Sequence, residues 1–293
     1  MQIAMVQDKF VPVEQLDAAY FDRGLYFGDG VYEVIRSYNG RIFALDEHIE
    51  RFAHSLAAIE IAGVDVKEIR GRVQKAFDRF GTSTKLSAGK LTTGAANIPN
   101  AKIYFHVTRG CGPRNHSWDN SLKPNFFLII SELEDAAELK TKGVAVSVYP
   151  DMRWKRCDIK SLNLLPNVLA HQDASKKGCF EAILVNDAGF ITEGSSSAFF
   201  QIFGRALHTT PLSDNILPSV TRKFVLKAAL NAGLESVEKS ITPNQARIAD
   251  ELFLAVTTKD IIPVIKFDGQ PISSGKPGKY TRQLIEEFRL FTA

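Results

Sequence analysis

Apolar and polar residues broadly alternate along Gly30-Val31-Tyr32-Glu33-Val34-Ile35-Arg36-Ser37-Tyr38. That period of two predicts a strand, and Asn39-Gly40 behind it predicts a tight hairpin turn. Arg41 to Ala44 reads as the returning strand. The period then lengthens. Leu45, Ile49, Phe52, Leu56 and Ile59 recur at helical spacing, with Asp46 as the expected N-cap and Gly63 as the stop. A second amphipathic helix is expected over Lys67 to Phe80, and residues 81–100, rich in Gly, Ser, Thr and Ala, read as a long surface loop. Strands follow at Lys102 to Thr108 and Asn125 to Ile130.

The charged stretch Ser131 to Lys142 has no apolar stripe of useful length and reads as a linker. The expected organisation is therefore a small α/β domain over 1–131 and a larger domain over 132–293. In the second, Val144, Val146 and Val148 alternate as a strand. A helix from about Ser161 to Lys177 carries Leu164, Leu165, Val168 and Leu169 and stops at Gly178. Glu181 to Val185, the turn Asp187-Ala188-Gly189, and Phe190 to Glu193 read as a hairpin. Ser219 is expected to cap a helix starting at Val220-Thr221-Arg222, and Leu252 to Thr258 is another strand. No internal repeat of fixed period is visible.

Composition narrows the class without naming a function. The 293 residues are 45% hydrophobic, enough for one large core or two ordinary ones. A net charge of +3 on a chain with 24% charged residues points to neither a nucleic-acid nor a membrane surface. Cys111, Cys157 and Cys179 are too few and too scattered for a disulfide framework or a zinc site, which suits a cytoplasmic protein. The start of the chain reaches two charges before any signal-length apolar run, so neither export nor a membrane anchor is expected.

The commoner catalytic signatures fail. Gly28-Asp29-Gly30 and Gly110-Cys111-Gly112 lack the third glycine of a dinucleotide fingerprint, and Gly275-Lys276-Pro277-Gly278-Lys279 is no P-loop. The histidines show no metal-binding spacing, and the Ser195-Ser196-Ser197 turn is not a nucleophile elbow. Lys160 lies at an expected strand-to-helix junction and Glu193 at an expected strand end about thirty residues later, and neither is telling alone. A lysine amine can hold the aldehyde of pyridoxal 5'-phosphate (PLP), while a carboxylate can keep its ring nitrogen protonated. A phosphate dianion needs donors. Arg51 offers a guanidinium fork, the Val220 helix start offers free N–H groups beside the Thr221 hydroxyl, and Thr257 offers a hydroxyl at a strand end.

The order of these pieces resembles the fold-type IV PLP transaminases over nearly the whole chain, and within them the bacterial D-amino acid aminotransferases. The resemblance is carried by Asp22-Arg23-Gly24 through Val34, Glu47 through Arg51, Val107 through Gly110, Pro113 through His116, Arg153 through Leu165, Lys177 through Leu184, and Thr192 through Ser197. It implies a two-domain α/β enzyme with the cofactor between its domains. By that resemblance Lys160 is the Schiff-base lysine and Glu193 pairs with the pyridine nitrogen. Arg51, Val220, Thr221 and Thr257 hold the phosphate, with Ser195 and Ser196 also counted among the cofactor-binding residues. Tyr32, Arg114 and His116 match the family's trap for the substrate carboxylate. The last two reach across from the other subunit, so a homodimer with shared sites is implied. The expected reaction is transamination between D-amino acids of the D-alanine and D-glutamate type and 2-oxo acids. Alternatives on the same fold are an L-branched-chain aminotransferase, suggested by Arg36, an (R)-amine transaminase, or a lyase resembling aminodeoxychorismate lyase.

Overall fold

The computed structural model describes residues 2–87, 100–213 and 215–293. A short hairpin of β1 (Ala4–Val6) and β2 (Lys9–Val11) opens the chain, and α1 (Arg23–Phe27) leads into a first sheet. That sheet comprises β3 (Gly30–Tyr38), β4 (Arg41–Ile42), β5 (Ala101–Thr108) and β6 (Asn125–Glu132), antiparallel in the order β4-β3-β5-β6. Asn39 and Gly40, at φ 49° and 77°, both take the left-handed conformation that lets a two-residue turn match strand twist. Helices α2 (Leu45–Ala58) and α3 (Val66–Ser87) pack their apolar stripes on one face. Phe52 of α2 and Phe105 of β5 meet edge to face at 5.1 Å in that core. Each such ring contributes roughly 1.5–3 kcal/mol by leaving water.

A two-turn helix, α4 (Ala137–Lys142), precedes the second and larger sheet. Its strands and helices follow along the chain as β7 (Val144–Pro150), α5 (Leu165–Lys176), β8 (Glu181–Val185), β9 (Ile191–Gly194), β10 (Ala198–Phe203), β11 (Ala206–Thr209), α6 (Val220–Asn231) and β12 (Glu235–Glu238). Then come α7 (Pro243–Arg247), β13 (Glu251–Val256), β14 (Asp260–Phe267), β15 (Gln270–Pro271) and α8 (Lys279–Leu290). The strand order is β12-β11-β10-β13-β14-β7-β8-β9, with β15 on β14 and mixed parallel and antiparallel pairs. Neighbouring residues serve opposite faces. Phe199, Leu252 and Leu254 enter one core, whereas Phe200, Phe253 and Ala255 enter another beneath α6 and α8. Burial on both faces explains why these strands read as continuous apolar runs. Among the described residues no helix is long and apolar enough to cross a membrane.

Several boundaries differ from the expectation. Helix α2 starts at Leu45 behind Ala44, at φ 51°, with no side-chain cap; Asp46 lies in the first turn and pairs with Arg70 at 2.7 Å instead. Helix α3 runs past the expected Phe80 stop to Ser87, and the rest of the expected loop, 88–99, lies outside the described residues. The charged stretch is mostly not a linker. Strand β6 reaches Glu132, and α4 follows because Ala136 and Leu139 pack on the larger sheet's core. Helix α5 begins at Leu165 rather than Ser161 and buries Ala170 and Ala174, leaving Leu165, Val168 and Leu169 at least half exposed. Small residues let the helix lie close on β7 and β8, and its large ones face outward.

Candidate active site

The two sheets meet at Lys160. Strand β3 has an unpaired edge at its Gly30 end, and the segment 160–162 docks there through a bridge between Val31 and Ser161. The Tyr32 amide donates to the Lys160 carbonyl at 3.0 Å, and the Leu162 amide donates to the Gly30 carbonyl at 2.9 Å. Such an approach requires glycines. A Cβ on Gly30 would stand 2.7 Å from Leu162 Cδ1, and one on Gly28, at φ 66°, would stand 3.1 Å from the Asn163 backbone. The Lys160 amide also donates to Ser55 Oγ at 3.1 Å, tying it to α2. Its Nζ lies 4.3 Å from the centre of the Tyr32 ring.

Lys160 lines a cavity of about 700 Å³, whose wall also includes Arg51, Glu193, Ser195, Ser196 and Thr257. Glu193, at the end of β9, is buried, accepts from the Leu217 amide at 3.2 Å and is ion-paired with Arg153. Burial pushes its carboxyl above the ordinary carboxylate value, and the Arg153 charge opposes that rise. Arg153 is itself oriented by Asp151, at 2.9 and 2.8 Å, and by Thr192. Although burial works against ionisation of Asp151, the hydrogen bond and charge of Arg153 hold that carboxyl below its usual range. Glu193 is thus one carboxylate of a fixed network.

Arg51, from α2, is gripped by Glu33 of β3 at 2.8 Å through both Nε and Nη2, and Nη1 donates to the Pro218 carbonyl at 3.1 Å. Glu33 is fully buried, yet the Arg51 and His48 contacts overcome burial and keep it ionised. The same guanidinium lines the cavity beside Ser219, whose hydroxyl caps α6 by accepting from the Arg222 amide at 3.1 Å. Val220 and Thr221 are buried just behind, outside the cavity lining, with Thr221 Oγ1 3.5 Å from Thr257 Oγ1. A helix N-terminus, a guanidinium and two hydroxyls so gathered form an anion cradle.

The serine turn is used differently from a simple cofactor clamp. The hydroxyls of Ser195, Ser196 and Ser197 all donate to buried Glu181, at 2.6 Å from Ser196 and 3.1 Å from Ser197, and His171 Nδ1 lies 3.4 Å from it. All three serines also line the cavity. Arg114 and His116 lie outside the cavity of their own chain. The Arg114 guanidinium stands over the Phe27 ring at 5.4 Å, and the His116 ring packs beside Phe27 at 5.5 Å. Their loop is held by Arg23, which donates to the Asn115 and His116 carbonyls at 2.5 and 3.1 Å. Tyr32 lines the cavity. Arg36 does not; it donates to the Thr258 carbonyl at 3.0 Å and to Asp260 at 3.2 Å.

The residues present fit PLP. An amine with no hydrogen bond among the described residues, a buried carboxyl and an anion cradle converge on one cavity of suitable size, and these are the groups an aldehyde, a ring nitrogen and a phosphate require. Sequence reasoning missed the support around them. Arg153 lay in a recognised stretch but had no assigned role, and neither Glu33 nor Glu181 gave any one-dimensional sign of its burial.

Residues 30–267 match the amino-transferase class IV family. A D-alanine aminotransferase of Bacillus licheniformis is 39% identical over 90% of this chain and 87% of its own. One from Staphylococcus haemolyticus is 34% identical over 99% of this chain and 98% of its own. Among solved structures, a branched-chain amino acid aminotransferase of Escherichia coli superposes with a TM-score of 0.82 at 22% identity, over 97% of this chain and 93% of that one. At that identity the match reports the shared fold alone.

Proposed function

We propose, from the premise that this chain belongs to the class IV amino-transferase family, that it exchanges the amino group of D-amino acids with 2-oxo acids. The observation that carries this reading is the convergence of Lys160 and Glu193 on one cavity with an anion cradle. The D-alanine aminotransferases at 34–39% identity support the handedness. Arg36 supports it too, because its bonds to Asp260 and Thr258 engage the guanidinium outside the cavity lining, against the branched-chain alternative.

PLP, when bound, supplies an electron-withdrawing ring that stabilises negative charge at the substrate α-carbon. In this reading Lys160 Nζ would hold the cofactor aldehyde at rest and, once freed, would take the proton from substrate Cα and hand it to the cofactor carbon that had carried the aldehyde. Glu193 keeps a proton at the ring nitrogen, with Arg153 and the Leu217 amide fixing its direction. Arg51, Ser219, Thr257 and the start of α6 hold the phosphate, Thr221 supporting Thr257 from behind. Tyr32 and the partner subunit's Arg114 and His116 bind the α-carboxylate. The aromatic face formed by Tyr32, Tyr104 and Phe127, with ring centres 5.9 and 6.5 Å apart, supports a homodimer because it runs from the cavity to a half-exposed Phe127. The same reading keeps two domains, 1–131 and 132–293, supported by their separate cores, and a cytoplasmic location, supported by three free thiols.

The test is an amino-donor screen with both enantiomers of each amino acid, following oxo-acid release by the wild type and Lys160→Ala. D-alanine and D-glutamate should exceed their L forms by orders of magnitude, and the alanine variant should be inactive. A preference for L-leucine or L-valine would overturn the handedness.

A further inference from the structure

Two lysines line the cavity without a part in holding cofactor or α-carboxylate. Lys102 lies on β5, and Lys259 lies in the turn between β13 and β14. Lys259 is only partly exposed, and its ammonium makes no hydrogen bond or ion pair among the described residues; Nζ faces the Phe180 ring at 5.7 Å. The carboxylates that could neutralise it are engaged elsewhere. Glu181 is taken by three serine hydroxyls and His171, while Asp260 is taken by Arg36, Tyr38 and Lys140. Burial pushes the Lys259 pKa down, the Glu181 charge opposes this, and the positive charges of Lys102 and Arg36 lower it further. A partly desolvated cation among like charges is destabilising until an anion completes it. With the phosphate assigned to the Arg51 cradle and the α-carboxylate to Tyr32 and its partners, the anion left over is one on the substrate side chain.

We propose that Lys259 recognises the distal carboxylate of dicarboxylic amino and oxo acids, with Lys102 reinforcing it across the same cavity. This deepens the proposed function and rests on it for the identity of the reaction. An ammonium in this position makes a charge-assisted bond that an uncharged side chain of the substrate cannot return. The enzyme therefore favours glutamate-like over alanine-like partners, with Lys259 setting the margin.

Glutarate and butyrate, achiral acids differing by that distal carboxylate, test this on the PLP-loaded enzyme by calorimetry. The wild type should bind glutarate at least about tenfold more tightly, equivalent to about 1.4 kcal/mol. Lys259→Met should erase that preference, Lys259→Arg should restore much of it, and the kcat/KM ratio of D-glutamate to D-alanine should fall in parallel. A wild type without the preference, or a Lys259→Met variant that keeps it, would overturn the proposal. Loss of PLP on dialysis from Lys259→Met with the preference intact would do the same, by assigning the ammonium to the cofactor phosphate. Activity restricted to L-amino acids would sink the D-amino acid reading alone, since the glutarate comparison is blind to handedness.

Discussion

Glu193 stands under opposed demands. Burial favours its neutral form and pushes the carboxyl up, while the Arg153 charge beside it opposes that rise. Glu193→Gln keeps the shape and removes the charge. The rate of α-proton removal, read by stopped-flow absorbance in a single turnover, should fall at least about tenfold, or about 1.4 kcal/mol of barrier, with circular dichroism unchanged. An unaltered rate would detach Glu193 from the chemistry. That Lys160 and Glu193 would share one cavity was legible because their neighbours form short, distinctive stretches. Glu33, Glu181 and Arg153 were not, since the sequence does not say which charges leave water or which partners meet them there.

At the scale of elements, α6 matters for where it begins. Its first turn is fixed by the Ser219 hydroxyl on the Arg222 amide, and the same end faces the cavity. Ser219→Ala should cost about 1 kcal/mol, seen as a melting temperature lowered by roughly 2–4 °C. An unmoved transition would mean that another group caps the helix. This cap was readable because serine ahead of a periodic segment has few other local uses. The start of α2 and the whole of α4 were not. Ala44 adopts a left-handed conformation that alanine rarely advertises, and α4 is held by Ala136 and Leu139 against strands far away in sequence. Likewise the leucines of α5 face outward, because the helix is seated by alanines whose small size matters only once a sheet lies beneath them.

At the scale of the molecule, a single chain leaves Arg114 and His116 outside its own cavity, over and beside Phe27. If they complete the partner's site, two different lesions should repair each other. Lys160→Ala and Arg114→Leu homodimers should each be severely impaired, whereas mixed dimers should carry one intact site and recover about half the wild-type rate per dimer. Mixed dimers no faster than the better parent would show that each site is made by one chain. The overall class of fold was legible from the sequence. A homodimer came only as what the resemblance implies, because an exposed arginine by itself looks the same whether it serves solvent or a neighbour.

The run from Arg153 to Lys160 is anchored to a different sheet at each end. Arg153 is fastened to Asp151 and Glu193 on the larger sheet, and Lys160 is docked on the edge of β3 in the smaller one. Its seven-residue spacing therefore works as a ruler, setting the offset between the Lys160 amine and the Glu193 carboxylate. Surface segments usually tolerate changes of length, and Trp154, Lys155 and Arg156 are exposed enough to look like one. One residue added there would displace the amine by up to about 3.3–3.6 Å, more than a hydrogen bond can span, while leaving both cores intact. A replacement at exposed Lys155 or Arg156 leaves that spacing alone, whereas an inserted residue changes it.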